Sequence, residues 1–441
     1  MSAKNLSHRM HRTVAVSSIG LVLATLVLAQ TPPPPRLTLV QAEALAIKNH
    51  PQVATARNVA AAAGQHVVQA KSAYYPTING EITNSQGLGL SRIGAGILPA
   101  SALFDRSGQG LQLAQLVTDF GRRNNLVANS QFLAQAAEQS TQATTFDVVF
   151  GVNKAYFGVL QAQAFVGVAE QTVKARQTLT DQVVALANAN LKSLVDVEFA
   201  RVNLAEAQLM LIRANDAVKR AYADLARAMG QDRPIEYQLE QTPAAPAPPD
   251  STEPLVNEAI QNRPELRELR LRVSAAQRFE EAEKDLKHPN ISLIAVGGAL
   301  PYIDQTPRVA PYGYEGVGLN VDIPVFNGHL FSARAQAAHY ESLAEDQRLR
   351  DQQQGVERDV RTAWISASTA YQSIPVTEQF LKSAQLALEL AQGRYSLGLS
   401  SIVEITQAQL NLTQAQIENV SAKYDYQSAY AGLQYTIGAL R

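Results

Sequence analysis

Apolar and polar positions alternate with two different periods along this chain of 441 residues. The helical period is clearest near the C-terminus, from Tyr395 to Gly438. Alanine recurs every seventh residue there, at Ala408, Ala415, Ala422 and Ala429. A second column runs Ile405, Leu412, Asn419, Tyr426, Leu433. A seven-residue repeat keeps one seam facing a neighbour if the helix supercoils. Alanine in that seam lets helix axes approach closely. The strand period is clearest at Val317, Leu319, Val321, Ile323 and Val325, which alternate with Gly316, Gly318, Asn320 and Asp322. Ile78, Gly80 and Ile82 likewise alternate with Asn79, Glu81 and Thr83. Further strands are expected around Leu111–Val117 and Ile291–Ala295.

The pattern occurs twice. At an offset of 208, Leu191 to Gly230 lies under Leu399 to Gly438, so Ala200, Ala207, Ala214 and Ala221 fall under the four alanines. At an offset of 213, Asn49, Pro51 and Pro76 fall under Asn262, Pro264 and Pro289. Each repeat therefore reads as helix, strand, strand, very long helix, turn, long helix. The long helices follow Asp119-Phe120-Gly121 and Phe326-Asn327-Gly328 and run for about 65 residues, a rod of roughly 100 Å. Pro375 falls inside the second rod, where a kink is expected. The expected organisation is a signal peptide (1–29), a Pro-rich linker (30–38), a first repeat (39–241), a Pro/Ala-rich linker (242–252), a second repeat (253–438) and a short tail (439–441).

Composition narrows the function classes. Net charge is −1 and no basic tract suggests nucleic acid. Aromatics are only 6%, a mix that suits long helices better than a compact enzyme core. Lys4, Arg9 and Arg12 precede an apolar run from Thr13 to Leu28 that reads as a secretory signal. The alternative is an uncleaved anchor, for which the run is short. There is no cysteine, so disulfides, thiolate metal sites and Cys lipidation are excluded. The seven histidines form no HExxH-like pair, and the glycines of Gly87–Gly96 lack a phosphate-binding frame. No cofactor, metal or catalytic residue is expected. A single chain supplies four strands, too few to close a barrel, and its alanine seams need partners. Both point to a closed ring of several copies.

The turn Arg394-Tyr395-Ser396-Leu397-Gly398-Leu399-Ser400, the following Val403-Glu404-Ile405, the alanine heptads ending in glycine, and Asn49-His50-Pro51 with Asn262-Arg263-Pro264 together resemble the TolC family of outer-membrane efflux proteins. The resemblance spans about residues 37–438. It implies a mostly α fold with a membrane β part: a homotrimer whose twelve-stranded β-barrel in the outer membrane continues as a periplasmic α-helical barrel. It implies an exit duct for efflux or secretion, working with a periplasmic adaptor and an inner-membrane transporter. The family's constriction acids map onto Asp196 and Glu404, which are repeat equivalents. The plainer reading is that each acid favours the first turn of its helix through the dipole. Tyr395 matches a gating tyrosine. Leu191, Ser193, Gly398, Leu399 and Ser401 are expected adaptor-docking tips, and opening is expected from splaying of the inner helix pairs. Gln407, Ser400 and Asn190 depart from the family pattern. The other function class that keeps the heptads is a periplasmic coiled-coil scaffold with no pore.

Overall fold

The computed structural model describes residues 35–85, 92–93, 101–102, 106–303 and 312–440. The signal-peptide reading and nearly all of Gly87–Gly96 lie outside the described residues. A short strand β1 (Arg36–Leu37) leads into α1 (Leu39–Asn49) and α2 (Pro51–Ser72). Strands β2 (Thr77–Ser85), β3 (Arg92–Ile93), β4 (Ser101–Ala102) and β5 (Arg106–Thr118) follow. Then come α3 (Arg122–Asn188), α4 (Leu194–Ala228) and β6 (Gln238–Leu239). The second half has α5 (Glu253–Asn262), α6 (Pro264–Lys284), a 3-10 turn at Asp285–Lys287, β7 (Asn290–Ile303), β8 (Gly313–Asp322), α7 (Leu330–Ser396) and α8 (Ile402–Thr436).

The two halves keep the same element order. α3 and α7 each have 67 residues, and α4 and α8 each have 35. α7 runs unbroken through Pro375. Local chemistry explains the boundaries. Thr38 and Gln41 form a capping box on α1. Pro51 and Pro264 open their helices, where a missing N–H costs nothing. All four long helices end with a left-handed residue, namely Asn190, Gly230, Gly398 or Gly438. In each, the following N–H reaches back to the last turn, as Leu191 N does to Leu186 O at 2.9 Å and Leu399 N to Arg394 O at 2.9 Å.

The main sheet has the order β2-β5-β7-β8 and is antiparallel throughout. Ile78, Leu113, Ala295 and Val317 form one row across it, and Asn79, Gln112, Val296 and Gly316 the adjacent row on the opposite face. One face is thus strongly apolar, and the other carries more glycine and polar side chains. The chain leaves the sheet through left-handed turns at Phe120-Gly121 and Gly328-His329. The starts of both long helices are then clamped together. Glu283 of α6, 2% exposed, takes two hydrogen bonds from Arg334 of α7 (2.6 and 2.9 Å) and lies 3.6 Å from Arg122 of α3. A buried carboxylate needs such partners.

Three apolar clusters hold the helices. One packs α1 and α2 against α3 and α4 around Tyr156, Leu160, Leu225 and Met229. One packs α5 and α6 against α7 and α8 around Leu266, Val356, Val360 and Leu433. The third lies at the far end of the hairpins. The β1–β6 pair is parallel and too short to show in the hydrophobic pattern. The Pro/Ala segment 242–252 is strapped down: Trp364 Nε1 donates to Pro249 O at 2.7 Å, Gln427 Nε2 to Pro243 O at 3.1 Å, and the Tyr426 hydroxyl to Pro246 O.

Two outcomes follow. Gly230 has φ +68°, and a Cβ there would lie 2.7 Å from His50 Cα. Gly230→Ala is expected to cost at least ~2 kcal/mol by urea unfolding in detergent; a change below ~0.5 kcal/mol would refute the close-approach account. Burial pushes the Tyr426 phenol up to about 12, helped by Tyr430 and Tyr371. The folded state therefore holds this proton more tightly than the unfolded chain. Its contribution is full below pH 10 and is lost as pH rises from about 10 to 12. Tyr426→Phe removes the strap bond at neutral pH, should cost ~1 kcal/mol, and should speed proteolysis at 242–252.

Candidate functional site

Both hairpins present their tips at one end, far from the sheet. The first tip is residues 189–193 and the second is residues 397–401. Asn190 takes the left-handed conformation at the first tip (φ 61°) and Gly398 at the second (φ 73°). Asparagine tolerates this region better than other side chains, so the departure at Asn190 leaves the turn intact.

Asp196 and Glu404 occupy the same helical position, third in α4 and α8, yet they bond differently. Asp196 closes a capping box: its Oδ2 accepts from Ser193 N (3.1 Å) and from Ser193 Oγ (2.9 Å), while Asp196 N donates to Ser193 Oγ at 3.2 Å. Such a box stabilises a helix start by ~1 kcal/mol. Glu404 turns instead to Arg394 across the turn, with Nε and Oε1 3.2 Å apart, and Ser401 makes no side-chain cap. The cause is in the sequence. Arg394 belongs to the second repeat alone, because its counterpart is Leu186. The spacing from 394 to 404 crosses a turn, so no helical charge pattern flags the pair. This exposed pair is worth at most ~1 kcal/mol, but it sets a positive charge beside the acid.

Tyr395 is 7% exposed and belongs to the tip cluster with Leu179, Val183, Val197, Ile402 and Ile405. Its ring lies 4.7 Å from Lys192 Nζ, so the first tip touches the second through a cation–π contact. Its hydroxyl is enclosed without a hydrogen bond. Burial pushes the phenol up, and the Asp196 charge adds to the effect. Lys192 and Arg394 are the tip residues whose pairings the sequence did not reveal. Ser400 Oγ is buried without a partner, and Gln407 bonds along its own helix to Asn411 at 3.0 Å. The expected docking residues are at the surface: Leu191 and Leu399 are 68% and 67% exposed, and Ser193, Gly398 and Ser401 flank them. No helix among the described residues is long and apolar enough to cross a membrane.

The family described as "Outer membrane efflux protein" matches residues 44–231 and 255–439. The outer membrane efflux protein BepC of Brucella suis is 28% identical over 398 residues, covering 88% of this chain and 82% of that protein. The outer membrane protein TolC of Salmonella enteritidis is 23% identical over 348 residues, covering 76% and 70%. Among solved structures, the CusC channel superposes with a TM-score of 0.79 at 19% identity, covering 91% of this chain and 92% of that one. The outer membrane protein VceC of Vibrio cholerae gives 0.77 at 18% identity, covering 91% and 96%. The family match takes in both repeats, their sheet strands and both hairpins, and the chain belongs to the outer membrane efflux protein family.

Proposed function

We propose that three copies of this chain close into an outer-membrane exit duct: a twelve-stranded barrel continued by a helical tube in the periplasm. What carries this reading is a set of contacts made once and left unmade once. Within the chain, the first repeat joins the second through β5–β7, α3–α6 and α3–α8. One repeat further on, the counterparts are β8 to β2, α7 to α2 and α7 to α4. Among the described residues none of these is a packed contact comparable to its counterpart. The faces they need are exposed and apolar. Val195, Val202 and Leu209 line α4 at heptad spacing, Val376 and Leu390 lie on α7, and Val59 and Val68 on α2. A neighbouring copy supplies each missing partner, and repetition of one such contact closes a ring.

The apolar sheet face supports a membrane role over a pore-free scaffold. Ile82, Leu111, Val317 and Leu319 are 63–77% exposed on it. A closed barrel is the only way for such strands to span lipid without unpaired edges. The duct supplies no energy of its own. An inner-membrane transporter drives export, and a periplasmic adaptor docks on Leu191, Ser193, Gly398, Leu399 and Ser401. Its relatives include outer-membrane components of efflux and of alkaline protease secretion, which supports a partnered duct.

Asp196 and Glu404 set the ion preference of the narrow end, with Tyr395 gating it. Clustered carboxylates attract cations, and Arg394 offsets one of each pair. Planar-bilayer recordings under a KCl gradient test this. Glu404→Gln is expected to lower the cation-to-anion permeability ratio by at least twofold, and Arg394→Gln to raise it. Unchanged reversal potentials in both variants, or no channel activity in the unmodified protein, would refute the reading.

A further inference from the structure

We propose that Arg176 is a charge hidden between the two hairpins of each protomer, and that its release favours their separation. This rests on the duct reading above, with opening by splaying of the hairpins. At an offset of 208 the counterpart of Arg176 is Ala384, which is 5% exposed. The second hairpin thus buries a small apolar residue where the first buries a guanidinium. Arg176 is 3% exposed. Among the described residues it forms neither a hydrogen bond nor an ion pair, and its Nη1 is fully enclosed. Burial pushes the guanidinium below its ordinary range, and the Glu206 charge on α4 offsets this only in part. Arginine nevertheless keeps its proton in proteins.

The other hairpin helps to cover it. Gln161 with Asp425, Gln171 with Gln416, and Thr172 with Thr413 join α3 to α8 at 3.4, 3.4 and 3.3 Å. The two helices run antiparallel, so one turn beyond Thr172 sets Arg176 level with Gln409. Gln409 is 5% exposed, and its Oε1 accepts from no donor. Thr406 Oγ1, nearer the tip on α8, is likewise enclosed without a partner. A buried charge left unpaired is among the costliest features of a protein interior. Here the cost falls on one arrangement only. With the hairpins together, Arg176 loses water and gains no partner. With α8 drawn away, it regains water, and its long side chain can turn towards Glu206. The tip contacts oppose this. Leu179, Val197, Tyr395 and Ile405 pack together there, and Lys192 lies on Tyr395. The closed end is an apolar clasp set against a stored charge. An adaptor docking at the tips has to supply only the difference between the two.

The chain has no cysteine, so Thr172→Cys supplies a single reporter thiol in the joint between the hairpins. Detergent-extracted particles carrying it are reacted with N-ethylmaleimide, an uncharged reagent. The labelling rate is divided by that of the same chain unfolded in urea, and reads how often the hairpins part. Arg176→Met, Gln409→Glu and the two together are each added to this parent. Arg176→Met removes the hidden charge and should slow labelling at least about tenfold. Gln409→Glu gives the charge a partner and should slow labelling at least about threefold. It also covers failure of Arg176→Met to assemble. The double variant buries a carboxylate alone and should label at least as fast as the parent. Labelling that is unchanged or faster in either single variant that assembles would overturn the proposal. A double variant slower than both single ones would overturn it too. Either result on particles of three chains leaves the duct reading standing. An unmodified particle of one chain removes that reading, and this proposal with it.

Discussion

Backbone groups that have no partner among the described residues of the chain decide this structure. β2 and β8 are edge strands of nine and ten residues, and β8 is exposed along its whole length. In water such edges invite uncontrolled pairing. In lipid each unpaired group costs several kcal/mol. No rearrangement of four strands removes both edges, because four strands cannot close on themselves. The helical end carries the same deficit in apolar form, in the uncovered faces of α2, α4 and α7. In the proposed assembly, sheet and rods are short of a partner on the same side, so one neighbour satisfies both.

Duplication makes that neighbour predictable without making the halves interchangeable. α6 is wedged between α3 and α7 by the Glu283 clamp and by His339 Nδ1, 3.0 Å from Glu280 Oε1. Its counterpart α2 has Ala70 and Val67 where α6 has Glu283 and Glu280. The joint inside the chain is thus charged and hydrogen-bonded at two positions where α2 carries alanine and valine. The same asymmetry recurs at the tips. Asp196 serves its own helix, while Glu404 serves the turn because Arg394 has no counterpart in the first repeat. One fold thus uses equivalent positions for different purposes.

Much of the architecture was legible in the sequence because the rods are long. A period held over 35 or 67 residues is a strong signal. Of the alanine columns ending at Gly230 and Gly438, the structure buries Ala200, Ala207, Ala408, Ala415 and Ala422 to at most 8% exposure and leaves Ala214, Ala221 and Ala429 half-buried. The strand phase of β8 was clear, while β7 blurred because Ile294 and Val296 put apolar side chains on the more polar face. The parallel pair of Arg36–Leu37 with Gln238–Leu239 was illegible, being two residues long. So were the contacts that define the tip. Lys192 on Tyr395 joins residues some two hundred positions apart, and whether Asp196 or Glu404 caps its helix depends on a side chain across a turn. Periodicity reports what recurs; these features are the ones that do not.

The most direct test of the account is an experimental density map of the particle gently extracted from the outer membrane. Three chains are expected around one axis, with β8 of each hydrogen-bonded to β2 of the next and the outer face of α4 covered by α7 of a neighbour. A particle of one chain, with both sheet edges capped by its own residues and its hairpins packed around a solid interior, would contradict it.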